Sequence, residues 1–409
     1  MSNDFVRKTY FFEMEPDCKI FKFPIDGLEI SANNLIFSEV KDITGLVVNK
    51  LLSSEGSLIS DYVTNENNSS YNNYEIHIGQ DDRLTFFGGA SSKFIVGYFI
   101  DCRENSNTLG SKVVLHFHPT LIRKLIIPRG VAHSFDNLEK IIIRNEPIWY
   151  SDFYNHEWDI KNDLVSFLRD EKNIPKVKTN KYILPEEGHV SFSKMQQEIL
   201  RNVMEYSFRY KNNNEHYYNE FDYDKNKYND IREIINKDTG ILNLKFSKNN
   251  YVLTGENSYK IVPTTSSCLS DVLEVDFNEM SNLFVFHKIQ NTILSILNRE
   301  SEVLLLEFCD FRISENLREI RSFSFKNDPR LNIKIPAGVG YKIKGYGKFL
   351  IRYEIEILAD DFSARNDLPE FGKDILFVSD NEVNKIPTFL SPRVVCPGEA
   401  TRSKYLSLL

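Results

Sequence analysis

The sequence has fewer basic than acidic residues and no long apolar run. Its 409 residues include 50 lysines and arginines against 58 aspartates and glutamates, a formal net charge of −8. A surface of that sign disfavours nucleic acid as a partner, although a local basic pocket for a diphosphate is compatible with it. No apolar segment approaches the roughly 18 residues that a membrane-spanning helix needs, so no membrane partner is predicted.

Cysteine is also scarce and shows no pattern. The five cysteines are scattered, odd in number and never spaced as a Cys-x-x-Cys pair. This predicts reduced thiols and a cytoplasmic location, and it argues against a disulfide framework or a zinc site. The first residues are acidic and lack an apolar segment, so no secretory signal is expected.

Short strand-like segments dominate what is present. Runs of four to eight residues rich in Val, Ile, Phe and Tyr, such as 93–100 and 112–117, are separated by Gly, Asn, Asp and Pro. Many such strands without regular helices between them are typical of a β-sandwich or barrel. The chain is too long for one ordinary core, which predicts two domains.

One stretch has a helical pattern instead. Residues 193–210 repeat apolar side chains at helical spacing, and Ser193 with Gln196 predicts a capping-box start. The following residues, 211–230, are rich in Asn, Tyr, Lys and Asp and predict a solvated connector. A second, weaker helix is predicted near residues 163–170.

The two halves of the chain share an internal repeat. Residues 94–106 align with 303–315, which superposes Asp101 and Arg103 on a second Asp-x-Arg, and IPRGVAH aligns with IPAGVGY further on. KNDLVSF, from residue 161, echoes RNDLPEF, from residue 365. Matches in one order predict two copies of one barrel. The predicted bounds are 1–185 for the first barrel, 186–239 for a helical connector and 240–409 for the second barrel. The Asp-x-Arg is interpreted as a structural ion pair or turn anchor.

A turn motif marks the first copy. Pro128-x-Gly130-x-x-His133-x-x-x-Asn137 has the spacing of the second cupin motif. Proline holds φ near −65° and glycine accepts the positive φ of a tight turn, so the motif aims the next strand into a lumen.

The longer pattern resembles the dTDP-4-dehydrorhamnose 3,5-epimerases of the cupin superfamily. His77, Arg83, IDCRENSNTLG (100–110), IPRGVAH (127–133) and the aromatic WYSD (149–152) follow the order of that family's motifs. The resemblance implies a mainly β fold of two cupin-type jelly-roll barrels joined by a short helical connector. It also implies a nucleotide-activated sugar as substrate and no organic cofactor, since the substrate's own ketone acidifies the proton.

In that family a histidine removes a proton beside a 4-keto group, a lysine steadies the enolate and a tyrosine delivers a proton. By resemblance His77 is the expected base and Arg83 the enolate stabiliser. The family's tyrosine falls near Ile143 or Arg144, neither of which can deliver a proton in its place, and this argues against double epimerisation. Single-site epimerisation, keto-isomerisation and plain binding stay open. A carboxylate on the far ring nitrogen would raise the basicity of the histidine. The candidates for that carboxylate are Asp163 and Asp170.

Further side chains are candidate substrate contacts. Arginines near the turn can hold a diphosphate through charge-assisted hydrogen bonds, and an aromatic ring can stack on a base or sugar. The predicted substrate-binding residues are His133, Gln80, Arg123, Arg129, Arg144 and Trp149. No metal-ligand set is predicted. The His116-x-His118 pair lies too close to the turn for a cupin metal motif, and His77 with His133 would be the better ligands if metal were bound.

The second copy departs from the motifs. Tyr341 stands where the first copy has His133, and Ile293 where it has Arg83, while His287 and Gln290 persist. We therefore expect this half to be structural or to complete the first site. Since the family's dimers exchange strands, the chain is expected to form an internal pair of barrels and possibly a homodimer. The leading hypothesis is a sugar-nucleotide isomerase of deoxysugar or polysaccharide biosynthesis. A non-catalytic carbohydrate binder and a metal-dependent cupin enzyme are the alternatives.

Overall fold

The protein was analysed as a computed structural model. The residues that it describes are 8–12, 20–33, 35–36, 47–52, 60–65, 71–89, 93–156, 158–185, 188–189, 191–193, 195–196, 234–235, 237–248, 251–255, 258–261, 270–277, 283–297, 303–313, 317–326, 328, 330–344, 347–359, 375–388 and 394–395. The chain forms two compact units. Unit 1 holds Met1–Leu35, Ser54–Lys211 and Tyr251–Val262, and unit 2 holds Ile36–Ser53, Asn212–Asn250 and Pro263–Leu409.

The strands of the first half of the chain are short. They are β1 (Lys8–Phe12), β2 (Phe21–Lys22), β3 (Glu29–Ala32), β4 (Leu35–Ile36), β5 (Val47–Leu52), β6 (Asp61–Asn65), β7 (Asn73–His77), β8 (Gln80–Gly88), β9 (Ile95–Asp101), β10 (Lys112–Phe117), β11 (Arg123–Ile127), β12 (Val131–Asp136), β13 (Ile141–Asn145), β14 (Ile148–Ser151), β15 (Leu164–Leu168) and β16 (Tyr182–Ile183). A 3-10 turn, Ile160–Asn162, precedes β15.

The second half continues the same pattern. Its strands are β17 (Lys245–Lys248), β18 (Tyr251–Gly255), β19 (Ser258–Ile261), β20 (Ser270–Phe277), β21 (Leu283–His287), β22 (Gln290–Ile296), β23 (Val303–Asp310), β24 (Ile320–Lys326), β25 (Leu331–Ile335), β26 (Val339–Lys344), β27 (Gly347–Ala359), β28 (Ile375–Ser379) and β29 (Val394–Val395). A second 3-10 turn, Val383–Lys385, follows β28.

Each unit contains two sheets that pack face to face. In unit 1, sheet I has the order β1-β10-β9-β12-β7-β15, and sheet II has the order β18-β19-β6-β13-β8-β11-β3-β2. Apart from the parallel pair β1–β10, the strand pairings of these two sheets are antiparallel. Phe86 of sheet II lies 5.0 Å, between ring centroids, from Phe135 of sheet I, so the apolar core fills the space between the sheets. This confirms the mainly β, jelly-roll fold class.

The repeat predicted from the sequence appears as a repeated strand order. In unit 2, sheet III runs β17-β25-β22-β27-β20-β5-β4 and sheet IV runs β24-β23-β26-β21-β28. Sheet IV therefore repeats the order β10-β9-β12-β7-β15 of sheet I. The aligned Asp-x-Arg motifs both form ion pairs, with Arg103 Nη2–Asp101 Oδ2 and Arg312 Nη2–Asp310 Oδ2 at 2.8 Å each.

Each unit also takes in a strand from the opposite half of the sequence. The hairpin β18–β19 pairs with β6 in unit 1, and β5 pairs with β20 in unit 2. The predicted domains, with bounds at residues 185 and 240, are contiguous and do not include such an exchange. They stay a prediction, and the two compact units differ from them because each unit contains a segment from the other half of the chain.

The Pro-x-Gly turn ties the fold to the candidate site. Gly130 has φ of 79°, and its N–H donates to the His77 carbonyl at 2.7 Å. The repeat preserves this contact, since the Gly338 N–H donates to the His287 carbonyl, also at 2.7 Å. A turn that needs a positive φ therefore fixes the end of the strand that carries each histidine.

Three local predictions differ from the structure. The helix near residues 163–170 is wrong, because Leu164–Leu168 is strand β15 and pairs with β7. KNDLVSF contains β15, but by strand order its counterpart in unit 2 is β28, Ile375–Ser379, and not RNDLPEF. Helical residues already occur at 188–189, and Ser193 accepts a hydrogen bond from Trp149 Nε1, so it does not begin the helix.

Most of the predicted helix and connector, residues 197–233, lies outside the described residues. Within the part of the chain that is described, no helix has the length and apolar character required to cross a membrane.

Replacing Gly130 by Ala tests the turn. A Cβ at this position would lie 2.4 Å from Arg103 Cγ and 2.6 Å from Thr179 Cγ2, in a backbone conformation that L-residues disfavour. We expect the free energy of unfolding to fall by about 1–3 kcal/mol, measured by urea denaturation. Pro128→Ala, which alters the same turn without a positive φ, should cost less than about 1 kcal/mol. Equal losses for both variants would contradict the role given to Gly130.

Candidate functional site

The site forms where two elements of unit 1 end. His77 closes β7, and Asp163 closes the 3-10 turn before β15. That turn begins with a reciprocal cap in which Asp159 accepts from the Lys161 N–H and Asn162 accepts from the Asp159 N–H. Leu164 pairs with His77 in the sheet, so the carboxylate of the preceding residue, Asp163, lies beside the His77 imidazole.

The central contact is a hydrogen bond between His77 and Asp163. His77 Nδ1 lies 2.9 Å from Asp163 Oδ2. The other carboxylate oxygen accepts from the Gly79 N–H at 2.6 Å and from Trp158 Nε1 at 3.0 Å. The carboxylate is thus held at both oxygens, which orients the imidazole and directs its Nε2 away from Asp163.

A second carboxylate faces that Nε2. Asp82 Oδ2 lies 3.8 Å from His77 Nε2 and 3.5 Å from His133 Nε2. Asp82 Oδ1 accepts from Asn145 Nδ2 at 3.0 Å and from the Gln80 amide. The two imidazole rings have centroids 6.0 Å apart. One nitrogen of each histidine and one Asp82 oxygen all lie within 4.8 Å of one another, which is close enough to share a ligand.

The carboxylates control the charge of His77. Burial lowers its pKa, but the negative charges of Asp82, Asp163 and Glu75 and the hydrogen bond that His77 donates to Asp163 outweigh burial and raise the pKa to about 9. His77 is therefore an imidazolium at neutral pH. Burial lowers the pKa of His133, and the charge on His77 lowers it further despite Asp82, so His133 is neutral there.

Arg83 does not join this cluster. It pairs in register with Ile126, whereas its neighbours Asp82 and Leu84 pair with the core residues Ile127 and Leu125. Successive side chains of a strand point to opposite faces, so Arg83 lies on the outer face of sheet II. Its Nε donates to the Glu146 carbonyl at 2.8 Å.

Asp170 is also separate from the cluster. It is exposed in the turn after Leu168, and Leu168 pairs with Asn73 at the far end of β7. At about 3.3 Å per residue, the four residues from Asn73 to His77 span about 13 Å. Of the two candidate carboxylates, the structure thus brings only Asp163 to His77.

Two predicted substrate contacts are enclosed in the protein interior. Arg144 is 1% exposed, faces outward from β13 and pairs with Glu146 at 2.9 Å between Nη2 and Oε1. Trp149 is 0% exposed, and its Nε1 donates to Ser193 Oγ at 2.9 Å. Neither side chain is presented to a ligand in the lumen.

The remaining candidates are partly occupied by protein partners. Arg129 pairs with Asp81 at 2.9 Å and stacks 3.5 Å from the ring centroid of Tyr150. Gln80 accepts from Gln196 Nε2 at 3.1 Å in addition to its bond with Asp82.

Arg123 lines a cavity in unit 1. Only about 20 Å³ of it is open to a water-sized sphere, which is room for about one water molecule. Lys124 and His118 also line it, together with a mostly apolar wall of Ile30, Leu84, Phe86, Leu115, Phe117 and Leu125. The cavity is therefore much smaller than a pocket that encloses a sugar or a nucleotide.

The corresponding lumen of unit 2 has different chemistry. Strand order and register place His287, Thr292 and Tyr341 where unit 1 has His77, Asp82 and His133. Tyr341 and Tyr353 are hydrogen-bonded, and burial raises the pKa of Tyr341 to about 12. Thr292 and Tyr341 are neutral where unit 1 has a carboxylate and an imidazole.

The sequence prediction missed Asp82. A signal was present, because Leu84 and Phe86 are the apolar positions of strand QDDRLTFFG and the two-residue period places Asp82 on their face. Trp158 and Asn145, which hold the two carboxylates, carry no sequence signal of that role.

A barrel with a buried His–Asp–His cluster is thus the class of site that unit 1 contains. No family model matches the chain, and no curated protein matches it. Parts of solved structures are similar to it. A dTDP-4-dehydrorhamnose 3,5-epimerase from Elizabethkingia anophelis is 17% identical, with a TM-score of 0.26, over 41% of this chain and 88% of that one.

Two further structures give similar values. The dTDP-4-dehydrorhamnose 3,5-epimerase from Bacillus anthracis, with TDP and PPi bound, is 13% identical with a TM-score of 0.28, over 42% of this chain and 97% of that one. The rmlC epimerase of Mycobacterium tuberculosis is 11% identical with a TM-score of 0.28, over 44% of this chain and 92% of that one.

Asp163→Asn tests the central contact. Removing the charge while keeping the shape should lower the pKa of His77 from about 9, since Asp163 both bonds to the ring and attracts its charge. The measurement is an NMR titration of the histidine ring nitrogens. Asp170→Asn is the matched control, because Asp170 is exposed and remote, and it should leave the His77 titration unchanged. A His77 pKa that does not respond to Asp163→Asn would contradict the contact.

The raised pKa also predicts a pH dependence of stability. His77 holds its proton more tightly when folded, at about 9, than at its ordinary value of 6.5. Its contribution is therefore complete below pH 6.5 and is lost as the pH rises through 9. We expect the free energy of unfolding to drop by about 3 kcal/mol over this window. His77→Gln should remove that drop, and an unchanged slope in the variant would assign it to other groups.

Proposed function

We propose that unit 1 catalyses proton transfer at a carbon beside the ketone of a nucleotide-linked sugar, as an isomerase or epimerase. One observation carries this proposal: a buried imidazolium, held by Asp163, lies beside a second buried carboxylate, Asp82. An acid and a base on opposite sides of one small space are what enolisation of a ketone requires.

The geometry favours acid and base roles that differ from those that the family resemblance implies. His77 carries a proton at neutral pH, so it donates from Nε2 to the ketone oxygen instead of acting as the base. Asp82 Oδ2 accepts the proton from the neighbouring carbon. The products of this step are an enediol, a neutral His77 and a protonated Asp82.

Return of a proton to carbon completes the reaction. When Asp82 gives its proton to the former ketone carbon and the neighbouring hydroxyl gives its proton to His77, the ketone moves by one carbon. When solvent water instead protonates the opposite face and takes the proton of Asp82, while the enediol hydroxyl returns its proton to His77, the stereocentre inverts. Both side chains regain their starting charge by either route. Arg83 has no part in these steps, because it lies on the outer face of sheet II. The imidazolium takes over the stabilisation of the developing oxyanion.

The nucleotide part of the proposal rests on the motif resemblance between residues 77 and 133. Arg123 stays a proposed contact for a phosphate group, through a charge-assisted hydrogen bond. Arg129, Arg144 and Trp149 are not proposed as contacts, since Arg129 pairs with Asp81 and the other two side chains are enclosed in the protein interior.

Unit 2 is proposed to be non-catalytic. Thr292 cannot act as a carboxylate base, and Tyr341 in its protonated form is a weak acid. The pairing of two barrels within one chain, and its further dimerisation, stay proposals.

Deuterium wash-in tests the reaction. The protein is incubated in D₂O with a panel of nucleoside-diphosphate 4-keto-6-deoxy sugars, and exchange at carbon is followed by NMR. We expect exchange with at least one sugar, and Asp82→Asn and His77→Gln should each slow it by at least about 100-fold. Arg83→Gln is the control and should retain exchange. Exchange in the unaltered protein should decline as the pH rises through 9, as His77 loses its proton.

Three results would oppose the proposal. Tight binding of a sugar nucleotide without exchange would make the protein a carbohydrate binder. Exchange that survives both Asp82→Asn and His77→Gln would move the chemistry elsewhere. Loss of exchange in Arg83→Gln, with folding intact by circular dichroism, would restore the role implied by the family resemblance.

A further inference from the structure

The cluster in unit 1 has the features of a metal site as well as those of an acid–base pair. We propose that His77, His133 and Asp82 bind one divalent transition-metal ion of the zinc class. The ligand atoms are Nε2 of each histidine and Oδ2 of the aspartate. This inference concerns the same site as the proposed function and does not depend on it.

The distances between the ligand atoms fit such an ion. Two atoms that each lie about 2.1 Å from a tetrahedral ion are about 3.4 Å apart. Asp82 Oδ2 lies 3.5 Å from His133 Nε2 and 3.8 Å from His77 Nε2. One nitrogen of each histidine lies within 4.8 Å of the other. The three ligand atoms therefore surround one centre when these nitrogens approach by at most about 1.4 Å.

Each ligand side chain also has a polar contact at the atom that does not bind the ion, as metal ligands usually do. His77 Nδ1 bonds to Asp163 Oδ2 at 2.9 Å, and His133 Nδ1 faces the Val131 carbonyl at 3.4 Å. Asp82 Oδ1 is held by Asn145 and Gln80, which leaves Oδ2 for the ion. Such second contacts set the imidazole tautomer and the direction of the lone pair that binds metal.

The donor set selects the kind of ion. Two imidazoles and one carboxylate favour zinc, cobalt, nickel or iron(II), whereas magnesium and calcium prefer ligand sets made of oxygen alone. The side chains of His77, Asp82 and His133 are 12%, 4% and 10% exposed, so an ion here would be shielded from bulk water. Three protein ligands leave a fourth position open for water or substrate.

Unit 2 supplies a natural contrast. His287 occupies the position of His77, but Thr292 and Tyr341 replace the other two ligands. Neutral threonine and a tyrosine whose pKa is about 12 are poor ligands at neutral pH. The proposal therefore predicts one ion for each chain, bound in unit 1 alone.

Metal binding and proton transfer use the same lone pairs. An ion on His77 Nε2 displaces the proton that the proposed reaction donates, and an ion on Asp82 Oδ2 occupies the proposed base. If the proposed proton transfer is the native activity, added Zn²⁺ should inhibit the deuterium exchange that reports it. An exchange that instead requires the ion would support the metal site and overturn the roles given to His77 and Asp82.

The test is a competition titration of the full-length, chelator-treated protein with Zn²⁺ against a chromophoric chelator. A parallel titration with Co²⁺ is read from its visible absorption, which reports coordination by nitrogen. We expect one ion per chain, and His133→Ala and Asp82→Asn should each weaken binding by at least about 100-fold. His287→Ala, from unit 2, and His116→Ala, from strand β10, are the matched controls and should bind as the unaltered protein does.

The outcomes separate the two proposals. Failure to bind Zn²⁺ or Co²⁺, or binding that His133→Ala and Asp82→Asn leave intact, overturns the metal site whatever the exchange experiment shows. Binding without any exchange sustains the metal site and refutes the proposed reaction. Thermal unfolding of each variant guards against loss of the fold, and His133→Ala tests the same site where Asp82→Asn is unstable.

Discussion

The arrangement of unit 1 depends on accommodating a charged imidazole inside a β-barrel. A buried charge is costly unless it is paired and hydrogen-bonded, and the Asp163 carboxylate meets that requirement for His77 at 2.9 Å. The same carboxylate accepts from Gly79 and Trp158, so one residue joins the end of β7 to the segment before β15. Gly130 fixes the His77 backbone from the other side, which leaves Nε2 directed at Asp82.

The two units show how one strand layout can hold different chemistry. Sheets I and IV share their strand order, and the Pro-x-Gly turn bonds to a histidine carbonyl in both. Yet a carboxylate and a second imidazole face His77, while Thr292 and Tyr341 occupy those positions beside His287. The backbone sets where side chains meet, and two substitutions on inward-facing positions change the charge of the lumen. Activity must therefore be argued for each unit separately.

Several features of the site could be predicted from the sequence, and others could not. His77 and His133 were found because their motifs are short and local, and Asp163 was one of two candidate carboxylates. Asp82 was not predicted, because Arg83, one position further on, is the residue that aligns with the family's lysine. The two residues differ in the face of β8 on which they lie, and only Asp82 faces inward. Arg144 and Trp149 were predicted as substrate contacts because arginine and tryptophan often bind such ligands. Both are buried, and their burial depends on tertiary packing that the residue type does not reveal.

By itself the sequence determined the mainly β class, the internal repeat and the turn that requires glycine at position 130. These depend on residue periodicity and backbone sterics, which act over a few residues. Only the tertiary structure decided which carboxylate reaches His77, which face of β8 points inward and which segments complete each sheet. Those outcomes depend on contacts between residues such as His77 and Asp163, 86 positions apart, and the pairing of strands sets them.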